Sequence, residues 1–324
     1  MPDANDPALA LAAEALARLT GDDRASVLLA VSGGPDSMAL LDLVRRCWQG
    51  PVGVATVDHG LRPESADEAA MVADHCADIG LDHAVLHPVQ PIAGSLQSAA
   101  RTVRYALLQA HADAIGAQFI VTAHHADDQL ETMLMRLARG SGVDGLAGVR
   151  ARNGRIVRPL LGFRKADLLD YCARNAIAFV RDPSNGNPDF DRVRMREALQ
   201  QFDLVDPLMA TRSAAALAQA SEALDWIAAR EAEAALQTAP DGIVLVQNDY
   251  PAALMRRLVM LALGRVQPDI VVRGPALDRL LQTLARGGQG MVGDVLCGPD
   301  SRHLGWHFRP APPRTGFPEA DATE

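Results

Sequence analysis

Along the first two hundred residues, short fully apolar runs alternate with longer stretches that are apolar on one side only. Residues 27–31, 52–57, 84–86 and 119–122 are brief, β-compatible and nearly free of polar positions. Runs of that kind read as strands buried on both faces of a parallel sheet. Between them, residues 35–44, 65–79, 95–115 and 126–139 carry helical periodicity, with Gly116 and Gly140 as natural stops. The alternation predicts an α/β fold, a doubly wound parallel sheet whose ligand crevice lies at the carboxyl ends of the strands. Ahead of it, residues 8–19 are rich in Ala and Leu but are broken by Glu14 and Arg18 and lack a basic leader, so an amphipathic helix is expected. Beyond it, residues 207–238 form an Ala-rich helical stripe. Strand character returns at 242–246, helices near 251–264 and 275–286, and strands near 291–297 and 303–308. The expected organisation is a domain over 1–206, a helical linker over 207–239, a smaller α+β domain over 240–310 and a flexible tail over 311–324.

Composition narrows this picture in three places. With 48% hydrophobic and 22% charged residues in 324, the chain is long enough for two globular domains. Four cysteines, Cys47, Cys76, Cys172 and Cys297, are far apart, which fits neither a disulfide framework nor a zinc or iron–sulfur pattern and suits a reducing cytoplasm. No apolar run reaches membrane-spanning length, so no membrane partner is expected. The net charge of −9 argues against a general nucleic-acid binder. Residues 150–200 nevertheless hold ten arginines and Lys165 against six acidic residues, a local excess of five that suggests an RNA backbone as partner. The chain has a single lysine, so the preference for Arg over Lys is global; only the local excess carries meaning.

Candidate chemistry gathers at the strand ends. Ser32-Gly33-Gly34-Pro35-Asp36-Ser37 follows the first strand and opens a helix. Glycines let a ligand approach the backbone, and the helix start offers unpaired N–H groups with a partial positive charge, which together suit an anion. Asp36 would repel a phosphate unless a divalent cation stood between them, so it points to Mg²⁺. An ordinary βα turn with Asp36 and Ser37 as capping residues is the plain alternative. After the fourth strand comes His124-His125-Ala126-Asp127-Asp128-Gln129-Leu130-Glu131. Asp128 and Glu131 are three apart and share a helix face, as holding an ammonium group or metal requires. Asp127 equally fits a first-turn carboxylate that complements the helix dipole. Arg101 and Arg104 also share a face and would reach phosphates at the crevice, or else lie in ordinary surface ion pairs. A turn-rich loop, Asp182-Pro183-Ser184-Asn185, precedes Arg192, Arg194 and Arg196.

The 32–37 hexapeptide matches the pyrophosphate loop of the ATP pyrophosphatase superfamily, and it lacks the Gly-Lys-Ser/Thr ending of a Walker A loop. Five further pieces sharpen the match: 57–65, 100–105, 124–132, 139–146, and Arg158-Pro159-Leu160-Leu161 with the 182–185 loop. Together they resemble the tRNA(Ile)-lysidine synthase family, closely over 27–200 and loosely beyond. The resemblance implies an adenine-nucleotide α-hydrolase-like fold and a ligase reaction. ATP adenylates carbon 2's oxygen on the wobble cytidine of isoleucine tRNA with a CAU anticodon, and L-lysine then displaces AMP. It implies ATP contacts at Ser32, Gly33, Gly34, Pro35, Asp36 and Ser37, with Mg²⁺ at Asp36. Asp36, Arg104 and His124 would be catalytic, Asp128 and Glu131 would bind lysine, and Arg192 and Arg196 would bind tRNA. One departure is Val193, where the family usually has Asn. A related tRNA thiolase is the main rival, disfavoured by the scattered cysteines. Oligomeric state is left open, a homodimer among the options.

Overall fold

The computed structural model describes residues 6–60, 64–88, 96–180, 191–200 and 204–312. The chain divides into two compact units, 1–218 and 219–324.

The first unit opens with α1 (Pro7–Thr20). Asp6 caps it by accepting the Ala8 N–H at 2.9 Å, and Gly21 ends it in the left-handed region at φ 79°. There follow β1 (Val27–Ala30), α2 (Pro35–Cys47), β2 (Val52–Val57), α3 (Glu64–Asp78), β3 (His83–Leu86), α4 (Leu96–Ala114), β4 (Phe119–Val121), α5 (Ala126–Leu137), α6 (Val143–Leu146), β5 (Arg152–Asn153), β6 (Ile156–Val157), α7 (Lys165–Arg174) and α8 (Asp191–Gln200). The sheet order is β3-β2-β1-β4-β6-β5, parallel throughout except for β5. The chain runs outward from β1 to β3, then returns through α4 to β4 on the other side of β1. That reversal between β1 and β4 is the switch point where open α/β sheets leave a crevice.

Side-chain alternation sorts the core onto two faces. Val27, Leu29, Val121 and Val157 face a cluster with Leu16, Met38, Leu41, Leu168 and Tyr171, which brings in α1, α2 and α7. Leu28, Ala55, Ile120 and Ile156 face Leu108 and Ala112 of α4. The doubly wound sheet expected from the apolar runs is therefore present, with two additions. The short β6 and the antiparallel β5 were not legible as strands, being only two residues each.

A long helix, α9 (Pro207–Ala235), carries the chain from one unit into the other, and the division falls inside it. The second unit continues with β7 (Leu236–Ala239), β8 (Gly242–Leu245), α10 (Ala252–Val266), α11 (Gly274–Ala285), β9 (Gly290–Val292), β10 (Val295–Pro299) and β11 (Trp306–Pro310). Its sheet is antiparallel in the order β7-β8-β11-β10-β9 and packs Leu245, Cys297 and Phe308 against Leu258, Leu263 and Leu280. The 207–239 segment is thus not a linker apart: its last four residues are the edge strand β7. The expected strand at 291–297 is two strands, because Gly293 at φ 58° turns the chain between them. Among the described residues no helix is long and apolar enough to cross a membrane.

Candidate active site

The loop after β1 is shaped by its small residues. Gly33 sits at φ 82°, a conformation other residues rarely take, and its carbonyl accepts the Val180 N–H at 2.9 Å. Gly34 caps α2 in an extended conformation without a side-chain bond, and Pro35 occupies the first turn. The Ser37 hydroxyl stitches the turn together. It donates to the Gly34 carbonyl at 2.9 Å, accepts the Ser32 N–H at 3.1 Å, and lies 3.3 Å from Ser32 Oγ. Behind the loop, buried Asp42 accepts Tyr171 Oη at 2.6 Å and pairs with Arg45 at 2.9 Å, fastening α2 to α7.

Asp36 projects from the first turn of α2. Its Oδ1 is buried without a hydrogen-bond partner, and its Oδ2 lies 3.5 Å from Nε2 of His125. His125, 2% exposed, stands at the switch point just before α5. Its other nitrogen lies 3.5 Å from Asp127, and Asp128 approaches Nε2 at 3.6 Å. Burial opposes a charge on this ring, but the Asp127 and Asp36 carboxylates, aided by Asp128, outweigh it and raise the imidazole to about 10. His125 is therefore an imidazolium at neutral pH that ties the loop after β1 to the start of α5. The motif reading singled out His124 and passed over this neighbour.

His124 behaves in the opposite way. Its Nδ1 lies 2.9 Å from Thr122 Oγ1. Burial first, then the charges of Arg158, Arg101 and Arg192, push it down to about 3 despite Asp128. The ring is therefore neutral at neutral pH, and one nitrogen at most donates. Asp127 accepts the Lys165 N–H at 2.7 Å, so it joins α5 to α7 as well as facing His125.

Asp128 and Glu131 share one face of α5, as their spacing requires. Asp128 Oδ2 accepts the His125 N–H at 3.2 Å, and its carboxyl is held below the ordinary range because His125, His124 and Arg192 offset its burial. Glu131 is 3% exposed. Arg192 and Arg196, assigned to RNA from the sequence, point into this pair. Arg192 Nε donates to Glu131 Oε2 at 2.9 Å, Arg196 Nε to Glu131 Oε1 at 2.5 Å, and both reach Asp128 Oδ1 at 3.5 Å. Val193 between them is buried, at 8% exposure, so an apolar residue suits that position. On the α4 side, Arg101 lies over the Tyr105 ring at 5.1 Å. Arg104 is felt by His59, whose buried ring nitrogens have no hydrogen-bond partner. The 182–185 loop lies outside the described residues.

Residues 8–202 match the PP-loop domain family. A tRNA(Ile)-lysidine synthase from Zymomonas mobilis is 39% identical over 295 residues, covering 88% of each chain. One from Novosphingobium aromaticivorans is 41% identical over 308 residues, covering 90% of each. The chain belongs to the tRNA(Ile)-lysidine synthase family. Among solved structures, the U34-tRNA thiolase NcsA from Methanococcus maripaludis, described with its [4Fe-4S] cluster, superposes with a TM-score of 0.52 at 15% identity over 65% of this chain and 78% of that one. That likeness shows the shared fold. The thiolase alternative falls to the lysidine synthase relatives, and Cys47, Cys76, Cys172 and Cys297 stand on four different elements of this family member.

Proposed function

We propose that the crevice between β1 and β4 carries out ATP-dependent joining of L-lysine to carbon 2 of the wobble cytidine in isoleucine tRNA with a CAU anticodon. The cytidine oxygen attacks the α-phosphorus of ATP and pyrophosphate leaves. The neutral ε-amine of lysine then attacks carbon 2, AMP departs with the oxygen, and the amine loses a proton. One observation supports this most directly: His125 lies 3.5 Å from Asp36 of the glycine loop and 3.6 Å from Asp128 of α5, so the loop and the carboxylate face meet at one side chain.

The N–H groups at the start of α2 and the Ser32 hydroxyl hold the triphosphate, and the Ser37 hydroxyl joins them by giving up its bond to the Gly34 carbonyl. Asp36 would hold Mg²⁺ through the oxygen that has no protein partner; one carboxylate suffices for an ion that keeps waters and takes phosphate oxygens as ligands. When bound, that ion would neutralise charge on the departing pyrophosphate. Arg104 adds positive charge at the mouth, and His124, being neutral, orients a base through a hydrogen bond. Asp128 and Glu131 grip the α-ammonium of lysine. Arg192 and Arg196 contact the tRNA backbone. They now occupy the same carboxylates, so lysine entry and RNA contact exchange partners. The setting is the cytoplasm, where tRNA, ATP and free lysine meet.

The test is incubation with ATP, labelled lysine and an isoleucine tRNA transcript. AMP and pyrophosphate should form, and label should appear on the wobble cytidine. Release of ADP, or label elsewhere in the RNA, rejects the reading.

A further inference from the structure

Arg158 follows β6 directly and was not among the residues given a role. Val157 pairs with Val121 of β4, and the Thr122 N–H donates to the Val157 carbonyl at 3.0 Å. Arg158 thus stands at the carboxyl edge of the sheet, beside Thr122. Alternation from Ile156 puts it on the α4 face, the face on which Thr122 holds His124.

Its environment is unusual for a guanidinium. Arg158 is 5% exposed. Nη1 donates to the Arg150 carbonyl at 2.6 Å, while Nε is buried with no partner. Among the described residues no carboxylate forms an ion pair with it. Arg150, the residue it braces, likewise has Nη1 buried without a partner. A buried charge without a counter-ion and a buried donor without an acceptor both carry a penalty that an anionic ligand would remove.

Two features choose the anion. First, β6 lies two strands from β1, about 10 Å at roughly 4.8 Å per strand, so Arg158 is on the β4 side of the crevice rather than at the triphosphate loop. Second, Arg158 stands beside Thr122, whose hydroxyl lies 2.9 Å from His124, and the N–H of the next residue, His125, is held by Asp128 at 3.2 Å, so Arg158 and the carboxylate pair belong to the same strand end. A cationic side chain and a carboxylate pair at one strand end match a zwitterion, whose two charges are separated by a single carbon. We propose that Arg158 receives the α-carboxylate of the amino-acid substrate while Asp128 and Glu131 receive its α-ammonium. This orientation leaves the ε-amine as the free end that enters the reaction. The assignment rests on the lysine-joining reading above and names how that site tells an amino acid from a plain diamine.

Cadaverine, which is lysine without its carboxylate, is the probe. Product formation is followed with lysine and with cadaverine for the wild type, Arg158→Gln and Arg158→Lys. The wild type should favour lysine by about 100-fold or more in kcat/KM, the discrimination expected when a site's buried donor is left unpaired. Arg158→Gln should lose most of that preference through a raised lysine KM, with cadaverine kinetics, ATP KM and lysine-independent adenylation of tRNA unchanged. Arg158→Lys, which keeps the charge and is the safer variant for folding, should retain part of it. Equal use of cadaverine and lysine by the wild type overturns the assignment without any variant. So does an Arg158 variant whose defect lies in ATP or tRNA KM, which would make the anion a phosphate. Absence of any lysine-dependent AMP release from the wild type removes the underlying functional reading, a result distinct from a changed lysine-to-cadaverine ratio.

Discussion

At the scale of single residues, the neighbouring histidines show how far environment outweighs chemical identity. His125 is raised to about 10 and His124 lowered to about 3, although one peptide bond separates them. The raised group has a consequence for stability. A histidine charged in the fold contributes fully below its unfolded value near 6.5 and loses that contribution as pH rises towards 10. Wild type should therefore exceed His125→Gln in unfolding free energy most at about pH 6.5, by on the order of 2–4 kcal/mol allowing for relaxation of the site. The gap should close as pH approaches 10. Denaturant melts at several pH values check this; a gap constant from pH 6.5 to 10 would show that His125 is not charged. In the sequence, the two residues are indistinguishable. The acidic pair was legible because a spacing of three on a helix fixes a shared face. Which histidine turns towards Asp36 depends on the extended backbone at 125, φ −120° and ψ 179°, and on a crevice formed by strands far apart in sequence. The Arg158 environment was hidden for the same reason, since it requires β6 to lie beside β4.

At the scale of elements, α8 is set apart by what it touches. It carries a charged stripe, and two of its arginines close on the carboxylates of α5. Both guanidiniums remain partly exposed, 39% for Arg192 and 31% for Arg196, so solvent weakens these pairs below what their short distances suggest. If they must leave before lysine enters, the observed lysine affinity is reduced by the fraction of molecules still closed. Arg196→Ala should then lower the lysine KM by roughly 5-fold, about 1 kcal/mol of removed competition, while weakening tRNA binding. Steady-state kinetics with lysine varied, beside a tRNA binding titration, separates the two effects. A raised lysine KM would instead make Arg196 part of the lysine pocket. Most elements that escaped the sequence are too short to show a period. Among them are α6, β5, β6 and the edge strand β7, whose Leu236-Gln237-Thr238-Ala239 continues the helical composition before it; the ten-residue helices α7 and α8 escaped as well, inside the charged 150–200 stretch. The strand character of β5, β6 and β7 comes from partners that only the folded chain supplies.

At the scale of the whole molecule, the chain holds two separately cored units joined by one continuous helix. The first has its apolar clusters on either face of the parallel sheet, and the second has its own around Leu245, Leu258 and Phe308. Every proposed ATP and lysine contact lies in the first unit, before the division at Ala218. A ligand that binds only the folded form stabilises the unit that binds it, by about 2.7 kcal/mol at a concentration a hundred times its Kd. Independent units should therefore respond unequally. Calorimetry with saturating ATP should move one unfolding transition upward by several degrees and leave the other where it was. A substitution confined to the second core, Phe308→Ala, should move only the transition that ATP ignores, because a large buried aromatic typically costs about 3–5 kcal/mol when truncated. If ATP and Phe308→Ala instead shift a single common transition, α9 transmits stability between the units and they unfold together. The second unit would then act on the reaction through the rigidity it lends the first, and substitutions along α9 near Ala218 would change the ATP response without touching the site.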